Sequence, residues 1–154
     1  MIECRVMWKR GEASFLDQRY SRAHRWEFDG GAVVPASSSP DIVPVPMSDV
    51  TAVDPEEAFV ASLSSCHMLW FLAIAAKRKF VVDAYLDDAR AEMGKDDRGK
   101  MVVTEVVLRP TITWGGEVIP SHEEIASLHH QAHEECFLAN SVKTRVRVEC
   151  NDPA

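Results

Sequence analysis

Asp54-Pro55-Glu56-Glu57-Ala58-Phe59-Val60-Ala61-Ser62-Leu63-Ser64-Ser65-Cys66-His67 is the stretch whose reading decides the fold. Asp54 is a residue type that caps helices, Pro55 suits the first helical position, and Glu57 closes a capping box with Asp54. The spacing predicts a helix over 54–79. Phe59, Leu63, Cys66 and Trp70 recur at helical intervals, and Leu69, Phe71, Leu72 and Ile74 make the second half apolar nearly all round. A helix with no polar face needs cover on every side, so it is expected at the centre of the fold and against its own copy in a C2 homodimer.

Working outward, Ser121 and Glu124 form a second capping box, starting a helix to about Cys136 on which Ile125, Leu128, Ala132 and Cys136 share a stripe. The remaining segments alternate as strands do. Residues 4–8 form a short strand. Residues 20–28 place Tyr20, Arg22, His24, Trp26 and Phe28 on one face, and Asp29-Gly30-Gly31 turns the chain into 32–34. Residues 82–93 and 101–114 form a second hairpin around the turn at 95–99, and 142–150 is a final strand with Val142, Thr144, Val146, Val148 and Cys150 inward. Between them, 35–53 holds Pro35, Pro40, Pro44 and Pro46 with three serines, a composition that opposes helix and ladder alike; it is expected to be a long loop or a lid. This order predicts a single α+β domain over 1–154.

The four cysteines divide by context. Cys4 and Cys150 lie in strand patterns and are expected to pack in the core, whereas Cys66 and Cys136 lie in helices, which suggests thiol chemistry. With 154 residues and a net charge of −7, the chain has no basic stripe for nucleic acid or an anionic membrane surface. The start lacks a signal-peptide pattern, and the apolar run over 68–76 is too short to span a bilayer, so a cytoplasmic location is expected. In that reducing compartment four cysteines do not make a disulfide framework.

A thiol that cleaves a peroxide attacks as the thiolate, and a cysteine in mid-helix gains little from the helix dipole, so its natural activator is an arginine. The Pro55-Glu56 pair ten residues before Cys66, the second helix ending His133-x-x-Cys136, and Asn140-Ser141 before a strand together resemble the OsmC/Ohr family of peroxide reductases. The resemblance implies an OsmC-like fold of antiparallel strands around a long central helix, in an intertwined homodimer with active sites at the subunit interface. It implies that Arg22 and Glu56 flank a reactive Cys66, with Glu56 gripping the guanidinium, and that Cys136 resolves the oxidised thiol. The substrate would be an organic hydroperoxide, the reductant a dithiol such as a lipoyl-type dithiol, and no cofactor would be needed. Arg25 competes with Arg22 for the arginine role, and Phe137 and Ala139 stand where the family often has proline and serine. Ten helical residues amount to roughly 15 Å, so either the helix starts late or Glu56 serves a partner's Cys66. The rival is a binding module of the same fold holding zinc or a thiol ligand through cysteine and histidine, with His129, His133 and Cys136 as the best cluster. His67 points about 100° away from Cys66 around the helix, which argues against a Cys–His hydrolase pair.

Overall fold

The structure is a computed structural model describing residues 1–150, and its backbone gathers into two compact units, Met1–Phe59 and the chain from Val60 onward. In the first unit β1 (Cys4–Met7), β2 (His24–Phe28) and β3 (Val33–Ala36) form an antiparallel sheet in that order. Gly31 turns the hairpin with φ +86°, a conformation that costs glycine nothing, and its N–H reaches the Phe28 carbonyl at 2.9 Å. The β3 strand runs through Pro35, which sits opposite Arg25 on an edge strand where a missing N–H is tolerated. The proline-rich segment therefore begins two residues later than its composition suggests. It is tied to the sheet, since Ser37 N–H bonds the Val53 carbonyl and Val53 N–H bonds the Pro35 carbonyl, both at 3.0 Å. The Ser37 hydroxyl accepts from the Asp49 N–H across the same loop.

Helix α1 (Pro55–Lys77) runs from the first unit into the second without a break. Its capping box forms as the sequence predicts: Glu57 N–H bonds the Asp54 carboxylate at 2.8 Å and Asp54 N–H bonds the Glu57 carboxylate at 3.1 Å. It ends where Lys79 adopts φ +70° and Phe80 N–H returns to the Ala75 carbonyl.

The two long strands of the expected second hairpin are each cut in two. They appear as β4 (Val81–Asp87), β5 (Arg90–Lys95), β6 (Met101–Leu108) and β7 (Pro110–Gly115), with β4 on β7 and β5 on β6. The cuts share a physical cause: Pro110 has no N–H for a ladder, and Asp87 opposite it turns its carboxylate to the Arg109 N–H at 2.6 Å and to the Ser64 hydroxyl. Helix α2 (His122–Glu135), capped by the Ser121–Glu124 box, leads through a short turn at Ala139–Ser141 to β8 (Arg145–Val148). The β8 strand lies parallel to β6, an addition to the otherwise antiparallel plan.

One face of α1 is buried, as Leu63, His67, Phe71 and Ala75 recur at four-residue intervals. Phe71 and Ala75 join Phe80, Ile112, Leu128 and Ala132 in the core of the second unit. The other faces stay apolar, with Leu69 60 % exposed in the single chain. By length and composition alone the whole helix could cross a membrane, which the shorter run over 68–76 did not suggest; a core helix passes the same test. Cys4 and Cys150 correct the expectation of core packing, because both are exposed. Alternation describes the pleat, but β1 is exposed at every residue before Met7, Cys4 included, and Cys150 lies beyond the end of β8.

Phe71, fully buried and within ring contact of Tyr85, Trp114 and His129, is the residue of α1 whose truncation should cost most. Phe71→Ala is expected to lower urea-unfolding stability by about 3–5 kcal/mol, and Asp54→Ala, which removes the cap, by about 1 kcal/mol. Equal losses in the two variants would show that α1 is not held by this core.

Candidate active site

Cys66 lies on α1, one residue before His67 of the buried stripe, and Cys136 closes α2 as its C-cap. The two side chains come within hydrogen-bonding reach of each other, and neither is in a disulfide. Their environments differ. Cys66 is partly accessible, whereas Cys136 is buried and accepts the Ala139 N–H at 3.4 Å. Burial pushes the Cys136 thiol above its ordinary pKa, and the neighbouring Cys66 pushes it further, against the opposing pull of the Ala139 and Leu138 N–H groups. Cys136 is thus held as a neutral thiol beside a more accessible one. Trp70, one turn beyond Cys66, meets Phe137 edge-to-face at 5.4 Å, so the residue standing where the family often has proline packs over α1 instead.

Beneath the dithiol two histidines meet. His67 Nε2 lies 3.0 Å from His129 Nδ1, and the side chains are 1 % and 4 % exposed. Burial depresses the His67 pKa to about 3, with the nearby His129 and His133 adding repulsion, and burial depresses His129 to about 4. Both rings are neutral, one donating and the other accepting. His129 is turned to His67 and Cys136 to Cys66, so the His129, His133 and Cys136 cluster does not converge; among the described residues no three His, Cys, Asp or Glu side chains are placed to hold one metal ion.

Arg22 and Glu56 both lie in the first unit, where they line a cavity of about 510 Å³ with Val6, Trp8, Phe15 and Tyr20. Arg22 precedes β2 rather than sitting within it. Its guanidinium stacks 3.9 Å above the Tyr20 ring and donates to the Gln18 and Tyr20 carbonyls, each at 2.6 Å. The bidentate Arg22–Glu56 grip expected from the sequence is absent among the described residues; the Arg22 bonds run from Nη1 to those two carbonyls. Arg25 points elsewhere, pairing with Glu27 at 2.9 Å on β2.

The structure therefore brings Cys66 together with Cys136, and sets Arg22 and Glu56 on one cavity without pairing them. Two sets of site residues escaped the sequence reading. The His67–His129 pair was signalled by His67 falling four residues from both Leu63 and Phe71, which marks it as part of the buried stripe. Phe15, which lines the cavity with Trp8 and Tyr20, lies in the segment between β1 and β2, where no periodicity identifies it.

Residues 48–151 match the family model described as OsmC-like protein. An OsmC-like protein of unknown function from Vibrio cholerae is 52 % identical, with 97 % of this chain and 98 % of that one covered and a TM-score of 0.95. An organic hydroperoxide resistance protein from Legionella pneumophila (15 % identity, TM-score 0.70, 100 % and 97 % covered) and one from Bacillus subtilis (17 %, 0.69, 99 % and 98 %) share the fold. A search among curated proteins found no match.

The neutral histidine pair makes a pH prediction. Folded pKa values of about 3 and about 4 lie below the unfolded value near 6.5, so on acidification the unfolded chain takes up protons that the folded chain refuses. The pair's contribution is full above pH 6.5 and declines as the pH falls toward 4 and then 3. Unfolding free energy from urea titration should drop by on the order of 2 kcal/mol between pH 7.5 and 5.5, and less in a His67→Leu/His129→Leu variant. An equal drop in both proteins would assign the acid sensitivity to other groups.

Proposed function

We propose that this chain, which belongs to the OsmC-like protein family, is a thiol peroxidase reducing organic hydroperoxides to alcohols through Cys66, with Cys136 as the resolving thiol. The observation that carries the proposal is the adjacency of an accessible and a buried thiol on two helices. A peroxide reaches Cys66 first. The Cys66 thiolate attacks one peroxide oxygen, the O–O bond breaks, and the departing alkoxide takes a proton to leave as the alcohol, with Cys66 left as a sulfenic acid. Cys136 then attacks that sulfur, water leaves, and the Cys66–Cys136 disulfide forms. Two electrons and two protons from a dithiol reductant restore the thiols.

Arg22 and Glu56 complete the site in this reading, and the length of α1 supports their coming from a second copy. It begins at Pro55, so the possibility of a late helix start falls away, and Glu56 stands roughly 15 Å along the axis from its own Cys66. The pair serves the Cys66 of a second copy, in a homodimer that covers the apolar faces of α1 left open in one chain. Arg22 supplies the cation that favours the thiolate and orients the peroxide oxygens. The cavity behind it, lined by Val6, Trp8, Phe15, Tyr20 and Ile42, suits the carbon tail of an organic hydroperoxide better than hydrogen peroxide. The names of the Legionella and Bacillus neighbours support that substrate class. We place the protein in the reducing cytoplasm, where the dithiol is regenerated.

Cys66→Ser should abolish peroxide consumption, while Cys136→Ser should react once and then accumulate overoxidised Cys66, seen as added oxygen mass on that cysteine. Single-turnover reactivity retained in Cys66→Ser would sink the assignment. Arg22→Met should slow peroxide consumption by on the order of a hundredfold or more, with Arg25→Met near wild type. The reverse ranking, read from initial rates on cumene hydroperoxide, would move the cation's role to Arg25.

A further inference from the structure

The mechanism just given makes no use of the two most deeply buried imidazoles in the chain. We infer that the His67–His129 hydrogen bond is a positioning contact that sets the approach of Cys136 to Cys66; the inference rests on the dithiol reading of the site. His67 follows Cys66 on α1, and His129 precedes Cys136 by seven residues on α2, two helical turns that return to nearly the same side. The 3.0 Å bond therefore ties the two cysteine-bearing helices together one residue from the reactive thiol.

Apolar contacts alone would not do this. Phe71, Ala75, Leu128 and Ala132 pack α1 and α2 into one core, but burial of apolar surface is non-directional and tolerates small slips of one helix along another. A hydrogen bond between two rings tolerates little, and the Phe71 ring lying 4.3 Å from His129 at 28° limits rotation of that imidazole. A disulfide is equally demanding, since it forms over a narrow range of Cα separations. Nor is the pair explained by stability. Two imidazoles are desolvated for one neutral hydrogen bond, and an apolar pair of similar volume would stabilise the core as well or better. What the polar pair adds is direction, and the group placed by that direction is the neighbouring dithiol.

The test separates placement from stability. His67→Leu/His129→Leu keeps the apolar volume and removes the bond. His67→Gln and His129→Asn keep it, because the glutamine head group reaches where Nε2 sat and the asparagine head group where Nδ1 sat. The quantity to measure is the equilibrium between the Cys66–Cys136 dithiol and its disulfide in glutathione buffers, with Cys4 and Cys150 replaced by serine throughout. The double leucine variant is expected to match or exceed the wild type in urea stability at pH 7.5, yet to form the disulfide about tenfold less favourably, a shift of about 30 mV toward easier reduction. The Gln and Asn variants are expected within about twofold of wild type. If the double variant does not fold, His129→Leu against His129→Asn carries the same comparison. Leucine variants that keep the wild-type equilibrium, or amide variants that lose as much as leucine, overturn the inference. A wild-type protein that forms no Cys66–Cys136 disulfide overturns it together with the resolving role of Cys136. A wild type that forms the disulfide but consumes no hydroperoxide sinks the peroxidase reading alone.

Discussion

The structure depends on the continuity of α1. Because the helix runs unbroken from Pro55 to Lys77, every group on it is spaced by a fixed rise and rotation, and none can be moved independently. Its N-terminal end presents Glu56 to the cavity that holds Arg22, and its middle presents Cys66 to Cys136. Its buried stripe anchors the second unit. The same rigidity keeps Glu56 and Cys66 of one chain apart, which is why the proposed site draws on two copies. The second half of the helix is apolar on nearly every face while its buried residues form one stripe, which supports the second copy that the proposed site draws on.

The proposed chemistry follows from a difference in burial between two like groups. Two equally exposed thiols would compete for the peroxide. In the proposed reaction the more accessible Cys66 meets it first, and Cys136, whose thiol burial holds above its ordinary pKa, is kept for the sulfenic acid that follows. The Ala139–Ser141 turn contributes, since its first N–H reaches the Cys136 sulfur and fixes the thiol as the chain leaves α2. Electrostatic activation is the other requirement. Arg22 places Nη1 on the carbonyls of Gln18 and Tyr20, which anchors the guanidinium and leaves its Nε and Nη2 donors for a peroxide in the proposed reaction.

Features with a local cause were legible in the sequence. Both capping boxes are short-range side-chain contacts and appear where the residues place them, as does the turn at Gly31. The pairing of Cys66 with Cys136 was legible as two helix-borne thiols, though their unequal burial was not, because burial is a property of what covers a residue. For the same reason Cys4 and Cys150 were misread: alternation predicts a pleat but does not supply a layer to bury it. The cuts at Asp87 and Pro110 come from a contact 23 residues apart in the chain, and the His67–His129 bond from one 62 residues apart. Arg22 was expected as a site residue, but its bonds to the Gln18 and Tyr20 carbonyls were not, and Gln18 itself adopts φ +59°, which nothing in its neighbours announces.

The most direct measurement of the central claim is disulfide mapping after treatment of the reduced protein with one equivalent of cumene hydroperoxide. The account predicts two thiols lost per chain, one alcohol formed per disulfide, and a single intrachain linkage joining the peptides of Cys66 and Cys136. Thiol loss centred on the exposed Cys4 or Cys150, or a protein that leaves the hydroperoxide intact, would contradict it.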